Sequence, residues 1–113
     1  MSRKLSSILL MLALVLSSTL VFAADSSWSG VISDSHCGAM HNKASQKASD
    51  CVEKCVKGGN QYVLVNSQDG KVYKLDPQDQ AKGHGGHEVT VSGSLDGDTI
   101  HVTSITMAAK SGQ

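Results

Sequence analysis

The sequence predicts a mainly β fold: a small five-stranded Greek-key barrel of the OB type. A cysteine-bearing helix is inserted between strands 1 and 2, and a short helical turn falls between strands 3 and 4. Three observations carry this reading. Five short segments read as strands, three of which, 28–34, 88–95 and 99–107, alternate their residues with the period of two that a half-buried strand requires. One stretch, 43–57, changes to a helical period. Aspartate–glycine pairs, Asp69-Gly70 and Asp96-Gly97, stand where the chain must reverse.

Residues 1–23 read as a secretory signal peptide rather than as structure. A basic head, Arg3-Lys4, precedes an apolar run broken only by serines and a threonine, and Val21-Phe22-Ala23 offers small residues for cleavage. Export, to a periplasm or beyond, follows as an expectation, with no stable membrane insertion after cleavage. Residues 24–113 then form one domain, its tail over 108–113 expected to fray.

The first strand spans 28–34, where Trp28, Gly30 and Ile32 share one face. In 43–57, Ala44, Ala48, Cys51, Val52, Cys55 and Val56 fall on one helical stripe. Lys43, Lys47, Asp50, Glu53, Lys54 and Lys57 point mainly to solvent, and Gly58-Gly59 ends the helix. Strands over 61–66 and 71–75 flank the Asp69-Gly70 turn. Asp76 as N-cap and Pro77 at the first position predict one or two helical turns up to Gly83. His84-Gly85-Gly86-His87 reads as a flexible connector. Val89, Val91, Gly93 and Leu95 mark the fourth strand. In the fifth, Ile100 and Val102 take one phase while Ile105 and Met107 take the other, which predicts a bulge near Thr103-Ser104.

Lysine plus arginine and aspartate plus glutamate balance at ten each. The only arginine, Arg3, lies in the leader, so the domain has no basic block with which to bind phosphates. With one Trp, two Tyr and one Phe in the whole chain, single strands find no stacking platform either. A nucleic-acid partner is therefore excluded.

The chemistry concentrates in Ser33-Asp34-Ser35-His36-Cys37-Gly38-Ala39-Met40-His41, followed by Cys51 and Cys55. A domain this small gains from a staple, and export favours a disulfide. The leading expectation is a bridge from Cys37 to Cys51 or Cys55 that clamps the first loop, with one cysteine left over. Cys51 with Cys55 is poor geometry within a helix. The second expectation is a Cys3His metal site of Cys37, His41, Cys51 and Cys55. Its thiolates and imidazole suit Zn or Cu, and Met40 would add a thioether for copper. A third is a thiol-dependent redox protein or enzyme, with a cysteine beside His36 or His41 and Asp34 orienting the imidazole; cysteines on a buried stripe argue against it.

Elsewhere, Asp34 is read as capping the turn into the cysteine loop, and Trp28 as filling a barrel end. His101 reads as a surface residue. His84 and His87 form a solvated connector more readily than a metal site.

The stretch Trp28-Ser29-Gly30-Val31-Ile32-Ser33-Asp34-Ser35-His36-Cys37-Gly38 resembles the opening of a family of small exported bacterial proteins whose domain has no known function. A paired-cysteine segment ending in Gly58-Gly59, then Tyr62-Val63-Leu64, and a closing 91–100 segment extend the resemblance over most of 24–113. It implies an OB-like fold and export, and carries no activity. The expected function is a noncatalytic binding or interaction module of the bacterial envelope, with an envelope protein or small ligand as partner. A soft-metal binder is the alternative.

Overall fold

Val31, Ile32, Ser33 and Asp34 are buried in succession, so both faces of the strand that carries them are covered at its end. This strand, β1 (Ser26–Asp34), pairs antiparallel with β2 (Tyr62–Asn66) and with β4 (Glu88–Asp96). β2 pairs antiparallel with β3 (Val72–Asp76), and β3 runs parallel to β5 (Thr99–Met107). β5 returns antiparallel to β4, so the sheet closes into a ring in the order β1-β2-β3-β5-β4. The computed structural model describes residues 25–108. The leader expected over 1–23, and the expected tail beyond Ala108, lie outside the described residues.

Ile32, Leu64, Tyr73, Leu75, Val89, Val91, Ile100 and Val102 fill the ring, with Trp28, Val56 and Ile105 partly buried against them. Trp28 meets Tyr73 at 6.2 Å between ring centroids. The expected bulge is present: Ser92 faces Ser104 while Gly93 faces Val102, which leaves Thr103 without a partner. It turns Ile105, and not Thr106, toward the core.

One helix, α1 (Gln46–Lys57), stands between β1 and β2. It begins three residues later than the 43–57 periodicity predicts. Ser45 is extended and its hydroxyl accepts the Ala48 N–H at 2.9 Å, so the cap stops the helix there. Lys43 and Ala44 are exposed and outside it. Ala48 and Val52 are buried, Val52 within the core itself. Glu53 departs from the solvent-facing expectation. Half-buried, it accepts a hydrogen bond from the Tyr62 hydroxyl at 2.8 Å and ties α1 to β2.

Burial, and then Glu53, push the Tyr62 phenol up to about 12, from 10.0. A folded-state value above the unfolded one favours the fold fully below pH 10, and this contribution is lost as pH rises toward 12. Thermal melts between pH 9 and 12 are expected to show a decline that is shallower in Tyr62→Phe. An identical decline in that variant would contradict the coupling.

Two loop expectations are corrected. Asp76 is not a helix cap but the last residue of β3, paired with His101; the helical turn is a shorter 3-10 turn, Asp79–Ala81. The Gln78 side chain takes over the linking role, accepting the Tyr62 N–H at 2.7 Å and donating to the carbonyls of Tyr62 and Leu75. The connector 84–87 is not slack. Ile32 O accepts the Gly86 N–H at 2.7 Å, His87 O accepts the Ile32 N–H at 3.1 Å, and Gly86 O accepts the Ser45 N–H at 3.2 Å. Gly86 has φ +73, and a Cβ there would lie 2.2 Å from Ser49 N. The helix rests directly on this glycine, so the connector is a packed crossing under α1. Ala108, expected to fray, donates its N–H to Glu88 O at 3.1 Å.

Candidate metal centre

Alternation along β1 places Asp34 on the same face as Trp28, Gly30 and Ile32, so its carboxylate turns inward at the strand end. Asp34 is fully buried. Its Oδ1 accepts the N–H groups of His36 at 2.9 Å and Cys37 at 2.8 Å, which is the capping role expected for it. Ser33 Oγ donates to Gly38 O at 2.8 Å, and Gly38 takes φ +52. These bonds start a 3-10 turn, Gly38–Met40, in which Gly38 O accepts the His41 N–H at 3.2 Å. The turn folds His41 back over Asp34.

Across from this turn, Cys51 and Cys55 stand one helical turn apart on α1, half-buried like Cys37. The C-terminus of α1 is fixed by Gly58-Gly59 and by Asn60, whose backbone and side-chain N–H groups both donate to Cys55 O at 3.1 Å. The second sulfur is therefore held on an anchored turn.

Two triads of donor atoms result. Cys37, His41 and Cys51 place one ligand atom each within 4.8 Å of one another, and so do Asp34, Cys37 and Cys55. Cys37 belongs to both. His41 Nε2 and Asp34 Oδ2 face each other at 3.9 Å, their side chains 17% and 0% exposed. Both atoms are buried and neither has a hydrogen-bond partner among the described residues. A buried carboxylate oxygen and imidazole nitrogen left in this state cost free energy unless something polar stands between them.

The four residues expected to hold a metal fall into two triads that share Cys37, with His41 and Cys51 in one and Cys55 in the other, where Asp34 joins them. Sequence reasoning favoured a capping role for Asp34, with orientation of an imidazole only in the enzyme reading, and left it out of the expected metal set; the inward phase of β1 was the signal for its place here. Cys37, Cys51 and Cys55 stand here as free thiols, with no pair joined in the expected bridge. Desolvation, then the Asp34 charge and the neighbouring thiols, push Cys37 up to about 11. Cys55 is raised by desolvation first, then by the Asp34 charge and by Cys51, against an opposing hydrogen bond with Cys37. Several incipient anions in one desolvated space resist ionising together, and a cation would relieve that.

Met40 and His36 stay outside the cluster. Met40 is 81% exposed. It forms one wall of a cleft of about 310 Å³ lined also by His41, Lys43, Lys47 and Cys51, so two of the donors are reachable from solvent. His84 and His87 lie edge-on at 6.5 Å between ring centroids, without a third ligating side chain among the described residues. His101 is exposed between the carboxylates of Asp76 and Asp96, each 3.7 Å away.

Residues 56–108 are similar to a family described as "Protein of unknown function (DUF5818)". The match runs from the end of α1 through β5 and begins one residue after Cys55. It therefore covers four of the five strands and none of the five clustered residues. No curated protein and no solved structure matches the chain. Among the described residues, no helix is long and apolar enough to cross a membrane.

Proposed function

We propose that the chain is a noncatalytic zinc-binding protein whose ligands come from Cys37, His41, Cys51 and Cys55, with Asp34 completing the pocket. The observation that carries this is the facing pair of unpartnered buried atoms, His41 Nε2 and Asp34 Oδ2, beside three free thiols. Thiolate, imidazole and carboxylate together suit Zn²⁺. Cu(I) would favour the thioether of Met40, which points to solvent instead.

The ring order, with antiparallel neighbours throughout except for the parallel β3–β5 pair, supports an OB-like Greek-key barrel. In such barrels the loop between the first two strands often forms the ligand face, and it is this loop that carries Cys37, His41 and α1. The leader over 1–23 and the 28–38 motif support an exported bacterial protein, periplasmic or secreted.

Elemental analysis and thiol counting on the chain, exported, purified without added reductant, offered zinc and freed of excess ion, test the reading. One zinc per chain, with three thiols regained after chelation, is the expected result. A second reading, an interaction module with a disulfide-clamped loop, draws support from the proximity of Cys37 and Cys51. It expects one free thiol and no retained metal, and that outcome would replace the zinc reading.

A further inference from the structure

We infer that the zinc pocket is also a thiol switch, in which oxidation of Cys37 to a disulfide with Cys51 or Cys55 expels the ion. The inference rests on the zinc reading and adds its regulation. Its basis is that Cys37 is shared: it stands in the triad with His41 and Cys51 and in the triad with Asp34 and Cys55. Any bridge that includes Cys37 therefore takes a ligand from both sets at once. The disulfide sulfurs are no longer thiolates, and thiolate is the form that ligates zinc.

The alternative bridge, between Cys51 and Cys55, is blocked by the helix. Side chains one turn apart have Cβ atoms about 5–6 Å apart, whereas a disulfide needs roughly 3.5–4.5 Å. Unwinding α1 to close that gap would release the Asn60 and Gly58 bonds that hold the carbonyl of Cys55. Cys37 sits outside the helix, on a short turn facing both sulfurs, and can approach either.

A small-molecule disulfide, R–S–S–R, is the oxidant. One sulfur of the protein attacks it, forming a mixed disulfide and releasing one R–SH. The second protein sulfur then displaces the other R–SH and closes the bridge. The oxidant's S–S bond breaks and takes up two electrons in all, giving two R–SH, and the two protons come from solvent when the protein sulfurs start as zinc thiolates. The cleft reaching His41 and Cys51 gives the oxidant its path. The third cysteine stays reduced beside the bridge, where as a thiolate it can attack the disulfide and exchange partners.

The test adds oxidised glutathione in steps to the zinc-loaded, full chain. Released zinc is read with a chromogenic chelator, free thiols by alkylation and intact mass, and the bridge by peptide mapping. The expected result is one zinc released for each bridge formed, Cys37 in every bridge, and recovery on adding a dithiol reductant and zinc. Cys51→Ser and Cys55→Ser each keep one partner and still form a bridge, whereas Cys37→Ser forms none. Zinc retained while thiols are lost, a Cys51–Cys55 bridge, or a glutathione adduct that never closes overturns the switch and leaves the zinc reading standing. Absence of bound zinc before any oxidant is added fails the zinc reading itself, and with it the switch.

Discussion

Replacing Cys37 by serine is expected to weaken zinc binding at least about 100-fold, since even outer-shell partners of metal ligands are worth about 10–100-fold. Cys37 is the one donor common to both triads, so no rearrangement among the remaining four residues restores either set. The effect also appears in stability. Ligand at about 100 times its dissociation constant stabilises a fold by about 2.7 kcal/mol. For a domain of this size that is a rise on the order of 10–20 °C in Tm. The native chain should show such a rise on adding zinc, while Cys37→Ser should show almost none. Serine is close in size and the site is half-buried, so the metal-free melts of the two should nearly coincide. A Cys37→Ser chain that gains the same Tm with zinc would mean that the ion binds elsewhere.

β1, β4 and β5 were legible because each rests on short-range alternation, β2 and β3 because they flank the Asp69-Gly70 turn, and the slip of phase between Val102 and Ile105 even located the bulge at Thr103. The stripe of α1 was equally legible, but its start was not. Ala44 fits the apolar period, and only the extended backbone of Ser45 shows that the helix begins after it. The connector 84–87 was misread for a different reason. Paired glycines look like slack in a sequence, whereas here they let Ser49 of α1 and Ile32 of β1 approach the backbone from two sides. That contact joins residues distant in sequence and leaves no periodic trace.

Of the candidate site, the ligand types and the face of α1 could be read from spacing. The choice between a bridge and a metal could not, because both need the same sulfurs in the same place. What separates them is the pair of orphaned atoms opposite the sulfurs. The inward phase of Asp34 was present in the alternation of Trp28, Gly30 and Ile32, yet that His41 would fold back onto it depends on the turn at Gly38.

Asp34 should separate its two roles when replaced in two ways. Asp34→Ala removes the acceptor for the His36 and Cys37 N–H groups. Hydrogen bonds to a charged group are worth about 1.5–3 kcal/mol each, so a loss of about 3 kcal/mol in the metal-free fold is expected from denaturant unfolding. Asp34→Asn keeps an oxygen at the Oδ1 position and discards a buried charge. Its amide can donate toward His41 Nε2, the atom now without a partner. The metal-free Asn variant should therefore be as stable as the native chain or more so, since an unpaired buried charge is itself a cost. Its zinc affinity should nevertheless fall by about 10-fold or more, because the carboxylate no longer faces the ion. If Asp34→Asn bound zinc as tightly as the native chain, the carboxylate would be a turn cap alone and the pocket would reduce to Cys37, His41, Cys51 and Cys55. Should Asp34→Asn instead destabilise the metal-free fold as much as alanine does, the buried charge would be balanced by the loop's own N–H groups, and the orphaned Oδ2 would lose its force as a sign of a bound cation.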